Sequence, residues 1–209
     1  MAMRHLREFT REGHQDELDL KATIRDTSKN AGWLKLVMRP ARKNNVKVLL
    51  FFDIGGSMDD HIELCSQFFS AARYEFKHME FYYFHNCIYE SVWKNNKRRN
   101  KERFSTIDLL NKFNKDHKVI IVGDAAMSPY EIFLNGGSVE HYNEEAGIVW
   151  LNRLKDHFDN MVWINPNPQE MWHYYQSTNS IIEFMEDNMF PMTLEGIRSA
   201  MNELLGSMP

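Results

Sequence analysis

The chain has 209 residues, enough to bury a substantial core and still be one domain with decorations. A hydrophobic content of 43% excludes a disordered chain, and a net charge of -4 points away from general nucleic-acid binding. No apolar run reaches the ~18 residues of a membrane helix, and the N-terminus is too charged for a secretory signal, so the expectation is a cytoplasmic protein with no membrane contact.

Residues 4–17 alternate basic and acidic groups around Leu6 and Phe9, as either a surface helix or the end of a larger N-terminal region. Leu20 and Ile24 predict a short helix capped near Gly32. Trp33–Arg39 alternates as an edge strand closed by Pro40. Residues 1–42 are read as an extension packing on a domain of residues 43–209.

Val48, Leu49, Leu50, Phe51 and Phe52 form an unbroken apolar run, which suits a parallel strand covered on both faces. The run stops at Asp53, and two glycines and Ser57 follow. Ile62, Cys65, Phe69, Ala72 and Phe76 recur at steps of three and four, predicting a helix over Asp59–Lys77. Met79–Phe84 reads as a strand, and Cys87–Trp93 as a neighbour antiparallel to it. Lys94–Arg103, with six basic residues in ten and no apolar one, reads as a solvated loop.

Ile107–Phe113 is a short predicted helix with Ile107 and Leu110 inward. Lys118–Gly123 repeats the buried-strand pattern and is followed by Asp124. Pro129 opens a helical turn. Residues Glu144–Phe158 predict a helix, Met161–Ile164 a last central strand, and Ser180–Asp187 and Leu194–Leu205 two closing helices. The alternation gives an α/β class: a doubly wound, mostly parallel, Rossmann-like sheet with helices on both faces and one antiparallel edge strand.

In such sheets ligands bind beyond the carboxyl ends of the strands. Asp53 and Ser57 belong there, Asp124 ends the second buried strand, and Thr106 or Ser105 lies on the intervening loop. Carboxylates and hydroxyls are the oxygen ligands that a hard divalent cation takes, with waters completing its shell.

DIGGSM after a buried strand, RFSTIDLL before a short helix and VIIVGDA after a second buried strand together resemble the von Willebrand factor A (VWA) domain. LDLKATIRDTSKNAG, VGDAAMSPYE and WLNRLKDHFDNMVWINPNP resemble its CoxE-like branch, so that the likeness runs from about Leu18 to Leu205. The resemblance implies a metal-ion-dependent adhesion site (MIDAS) holding Mg²⁺, or Mn²⁺ or Ca²⁺. Ser57 and Thr106 would be direct ligands, with Ser105 adjoining, and Asp53 and Asp124 would act mostly through water. It also implies a non-enzymatic module whose metal accepts an acidic side chain from a protein partner. The CoxE-like branch further implies a MoxR-type AAA+ ATPase partner and a chaperone role in maturing a client enzyme or inserting its metal. The family pattern is Asp-x-Ser-x-Ser, and its first serine is Gly55 here. One hydroxyl ligand is therefore absent, a water is expected in its place, and the site is expected to bind weakly or to be a degenerate, metal-free scaffold.

The rival is a haloacid dehalogenase-type phosphatase, whose first motif FFDIGGSM superficially resembles. That chemistry needs a second aspartate two residues after the nucleophile, and position 55 is glycine; no acid follows Asp124 among Ala125, Ala126, Met127 and Ser128. The loop carrying Arg98 and Arg99 offers a second surface for a protein partner, and without interleaved aromatics it is a poor nucleic-acid groove. Cys65 and Cys87 read as reduced core thiols, and the scattered histidines show no ligand spacing.

Overall fold

The computed structural model describes residues Glu17–Leu18, Met38–Arg39 and 44–205. The expected helix before Gly32, positions 33–37 of the next strand, Pro40 and the boundary after residue 42 lie outside the described residues. The end of that strand forms β2 (Met38–Arg39), paired antiparallel with β1 (Glu17–Leu18).

The main sheet contains β3 (Asn44–Asp53), β4 (Phe76–Phe84), β5 (Ser91–Trp93), β6 (Arg103–Ser105), β7 (Lys118–Val122), β8 (Asn160–Asn165) and β9 (Met189–Pro191). Its spatial order is β6-β5-β4-β3-β7-β8-β9. Pairing is parallel from β4 through β3, β7 and β8 to β9, and β5 runs antiparallel to both β4 and β6. The helices are α1 (Ile62–Glu75), α2 (Thr106–Lys112), α3 (Pro129–Phe133), α4 (Gly147–His157), α5 (Gln176–Met185) and α6 (Leu194–Leu205).

Successive side chains of a strand point to opposite faces, so an unbroken apolar run needs cover on both. Val48, Leu50 and Phe52 of β3 pack with Phe68 and Ala72 of α1 and with Ala200 and Leu204 of α6. Leu49 and Phe51 pack on the other side with Leu109 of α2, Leu151 and Leu154 of α4, and Ile181 of α5. Each of the valine, leucine, isoleucine and phenylalanine side chains among these, removed from water, contributes about 1.5–3 kcal/mol. The expected doubly wound arrangement is therefore present.

Several elements differ in detail from the sequence reading. A 3-10 turn, Gly56–His61, precedes α1, which ends at Glu75 because Phe76 already belongs to β4. Ile62 is 63% exposed, whereas Phe68 and Ala72 face inward and Cys65 is half-buried. Leu64 and Phe68 form an apolar row beside that of Cys65 and Phe69, so the pattern allowed two rotations. Phe52 touches the rings of both Phe68 and Phe69. Ile107 points outward and Leu109 inward in α2. The helix α5 starts before Ser180 and ends at Met185, where Glu186 and Asp187 take positive φ and turn the chain into β9. That last strand was missed, being three residues long and ending in proline. The helix α6 has the predicted bounds.

From β3 the chain builds outward through β4, β5 and β6, then returns to lay β7 against the other edge of β3. The direction of winding thus reverses at β3. The crevice beyond the carboxyl ends of β3 and β7 is the switch point where doubly wound sheets take ligands.

Candidate metal centre

Asp53 closes β3, and the ladder continues one step further through Ile54 N–H to Phe84 O (3.0 Å). Its carboxylate is 4% exposed. The Oδ1 atom accepts backbone N–H groups from Gly55 (2.8 Å) and Asn86 (2.8 Å), while Oδ2 is buried with no donor among the described residues. Such an orphaned carboxylate oxygen is costly unless something positive meets it. Gly123 makes the close packing possible: a Cβ there would lie 3.0 Å from Asp53 Cβ and 3.3 Å from Oδ2.

Asp124 follows β7 and is 3% exposed. Its Oδ1 accepts the Ala126 N–H (3.0 Å), and its backbone carbonyl accepts Asn165 Nδ2 at the end of β8 (2.8 Å). Ala125 takes a positive φ of 55° to make the turn. Burial pushes the Asp53 carboxyl up to about 7; the Gly55 and Asn86 N–H groups oppose this, and the charges of Asp124 and Glu131 add to it. The two predicted aspartates therefore share one electrostatic neighbourhood.

Glu131 escaped the sequence reading. It lies in α3, 2% exposed, and accepts the Ser128 N–H (3.2 Å) as half of a capping box. Asn86 Nδ2 donates to both its carboxylate oxygens (3.0 and 3.1 Å), and Tyr89 Oη donates to its backbone carbonyl (2.9 Å). The Ser-x-x-Glu spacing was a legible cap signal, but nothing local ties it to Asp53.

Of the predicted hydroxyls, Ser57 is exposed on the 3-10 turn. Ser105 caps α2, accepting the Asp108 N–H (3.4 Å), and Thr106 is fully buried. Thr106 Oγ1 donates to Tyr89 O (2.5 Å) and its N–H to Glu90 O (2.8 Å). Hydrogen bonds thus run from Thr106 through Tyr89, Glu131 and Asn86 to Asp53. Among the described residues no three His, Cys, Asp or Glu side chains form a metal-holding group, so a cation here would need hydroxyl or amide oxygens beside the aspartates.

Arg99 pairs with Glu140 (2.9 Å), which also faces His85 Nε2 at 3.6 Å, and Arg98 pairs with Glu102 (2.8 Å) on the surface. Burial holds the His85 imidazole below its ordinary value. Asp53, Ile54, Met58, Asp59 and Arg99 line an open cleft of about 500 Å³ beside the turn. Cys87 is buried and Cys65 half-buried, both as free thiols that burial pushes up, Cys65 to about 11. No helix among the described residues is long and apolar enough to cross a membrane.

Neither a curated protein nor a solved structure matches the chain. A family model described as "VWA domain containing CoxE-like protein" matches residues 1–92, which take in β3, the Asp53 turn, α1 and β4. The mostly parallel sheet, wound both ways from β3, is the architecture that match calls for. Over its first 92 residues the chain is thus similar to CoxE-like VWA-domain proteins, and its sheet is consistent with a VWA fold.

Proposed function

We propose that the chain is a non-enzymatic protein-interaction module whose recognition site is a MIDAS-type divalent-cation centre at the β3–β7 crevice. The observation that carries this reading is the pair of buried aspartates at adjacent parallel strand ends, one with an oxygen that no donor among the described residues meets. Asp53 and Asp124 would hold the ion electrostatically, and Ser57 and Thr106 would offer hydroxyl oxygens. Mg²⁺ is the expected ion, with Mn²⁺ or Ca²⁺ able to replace it. A bound ion would supply net positive charge to attract a carboxylate, so the partner would be a protein offering an acidic side chain. Following the CoxE-like resemblance, that partner is a MoxR-type AAA+ ATPase, and the complex would serve the maturation of, or metal insertion into, a client enzyme.

The test is capture of the ATPase with Mg²⁺ and with chelator, for wild type and Asp53→Ala. Capture that needs the metal and is lost in the variant supports the reading; capture indifferent to both overturns it. A metal-free scaffold is the second reading, and it draws on Thr106, whose hydroxyl already serves Tyr89 O inside the protein. On that reading Arg98→Gln with Arg99→Gln would weaken capture while chelator would not.

A further inference from the structure

Gly55 removes a serine from the family pattern, and the space it leaves is filled from elsewhere in the chain. A Cβ at Gly55 would lie 2.0 Å from Asn86 Oδ1 and 3.2 Å from Asn86 Cγ. The amide oxygen therefore occupies space that the side chain of a serine at residue 55 would need. The same Cβ position is 3.3 Å from Asp53 Oδ1, so the two oxygens border one space.

The orientation of the amide follows from its partners. Nδ2 donates to both Glu131 carboxylate oxygens, and only an NH₂ group can do so; the carbonyl end must face the other way, toward Gly55. The backbone holds the residue as firmly. Asn86 has a positive φ of 57°, a conformation asparagine tolerates better than most residues, and its N–H is bound to Asp53 Oδ1. Among the described residues no donor meets Asn86 Oδ1, and Asp53 Oδ2 is buried without one. Amide carbonyls are ordinary oxygen ligands of hard cations.

We infer that Asn86 Oδ1 is the replacement ligand of the adhesion-type site, supplying from the end of β4 the oxygen that Gly55 no longer supplies. The expected water at that position is not needed, because the amide oxygen takes its place. Glu131 acts through Asn86: it is a positioning residue that holds the amide with its oxygen turned toward Gly55. Gly55 and Asn86 are then a linked pair, since a side chain at 55 and the Asn86 amide cannot occupy the same space. The inference rests on the adhesion-site reading proposed above.

The test measures Mg²⁺ and Mn²⁺ affinity by calorimetry for wild type, Asp53→Asn, Asn86→Gly, Gly55→Ser and the double variant Gly55→Ser/Asn86→Gly. Glycine at 86 keeps the positive φ and the N–H to Asp53 while deleting the amide. Asn86→Gly should weaken binding about 10-fold or more, Gly55→Ser alone should weaken it through the clash, and the double variant should recover most of the wild-type affinity. Wild-type binding that Asn86→Gly leaves unchanged overturns the role of Asn86 while the site reading stands. A weakened Asn86→Gly that the added serine does not rescue also overturns it, since the loss is then only structural. No metal binding by wild type, with Asp53→Asn indistinguishable from it, removes the site reading itself. Should Asn86→Gly fail to fold, the Asn86 side-chain amide resonances of the wild type decide: they must shift on adding Mg²⁺ and broaden away with Mn²⁺, and unmoved resonances overturn the inference.

Discussion

Asp53 has one carboxylate oxygen satisfied twice by backbone N–H groups and the other met by no donor among the described residues. Burial lifts its carboxyl from an ordinary 3.8 to about 7, with Asp124 and Glu131 pushing the same way. Between about pH 4 and 7 the unfolded chain has released a proton that the folded protein still holds, so stability falls as pH rises through that window and levels off above it. The full drop is a few kcal/mol, at about 1.4 kcal/mol for each unit of difference. Urea unfolding at pH 5, 6, 7 and 8 without divalent cation should show this slope in wild type. In Asp53→Asn it should be absent, and that variant should be the more stable protein at pH 8. A saturating divalent cation favours the ionised carboxylate and should flatten the wild-type slope. An undiminished slope in Asp53→Asn would assign the titration to another group.

The elements that hold this residue were unequally legible. β3 and β7 could be read from the sequence because KVLLFFD and KVIIVGD carry their evidence locally: an apolar run too long for one covered face, then an acid. Glu131 and Asn86 could not, because their contact spans 45 positions and rests on a positive φ at Asn86 that no local pattern announces. Gly55 did carry a signal, since a missing side chain at a packed turn must be filled by something. The start of α4 shows the same dependence on distant packing. A Cβ on Gly147 would lie 2.4 Å from Cys87 Sγ and 2.8 Å from Glu131 O, so this helix can begin where it does only because residue 147 lacks a side chain. Gly147→Ala should therefore push α4 off the Cys87 loop at a cost of about 1–3 kcal/mol, despite alanine's better helix propensity. Denaturation midpoints check this, and a stabilised variant would show that the loop yields freely.

Across the whole molecule, the sheet carries two cores on opposite faces, and the crevice lies where the strands leave both of them. Folding energy and site geometry are therefore separable by position. Leu204 of α6 is 1% exposed and packs in the layer under Val48, Leu50 and Val162. It lies near the amino-terminal end of β8, lining a small cavity with Asp159 and Asn160, at the opposite end of the strands from Asp53 and Asp124. Leu204→Ala should cost about 2–5 kcal/mol of stability, since the removed methyl groups leave a cavity that the close-packed sheet cannot fully collapse. On the metal-site proposal, any rise in melting temperature on adding Mg²⁺, set by the affinity of the folded state, should remain close to that of wild type. A Leu204→Ala protein that has lost the Mg²⁺ response while still folded would mean that the crevice depends on the far core, and that the sheet transmits strain along its full strand length.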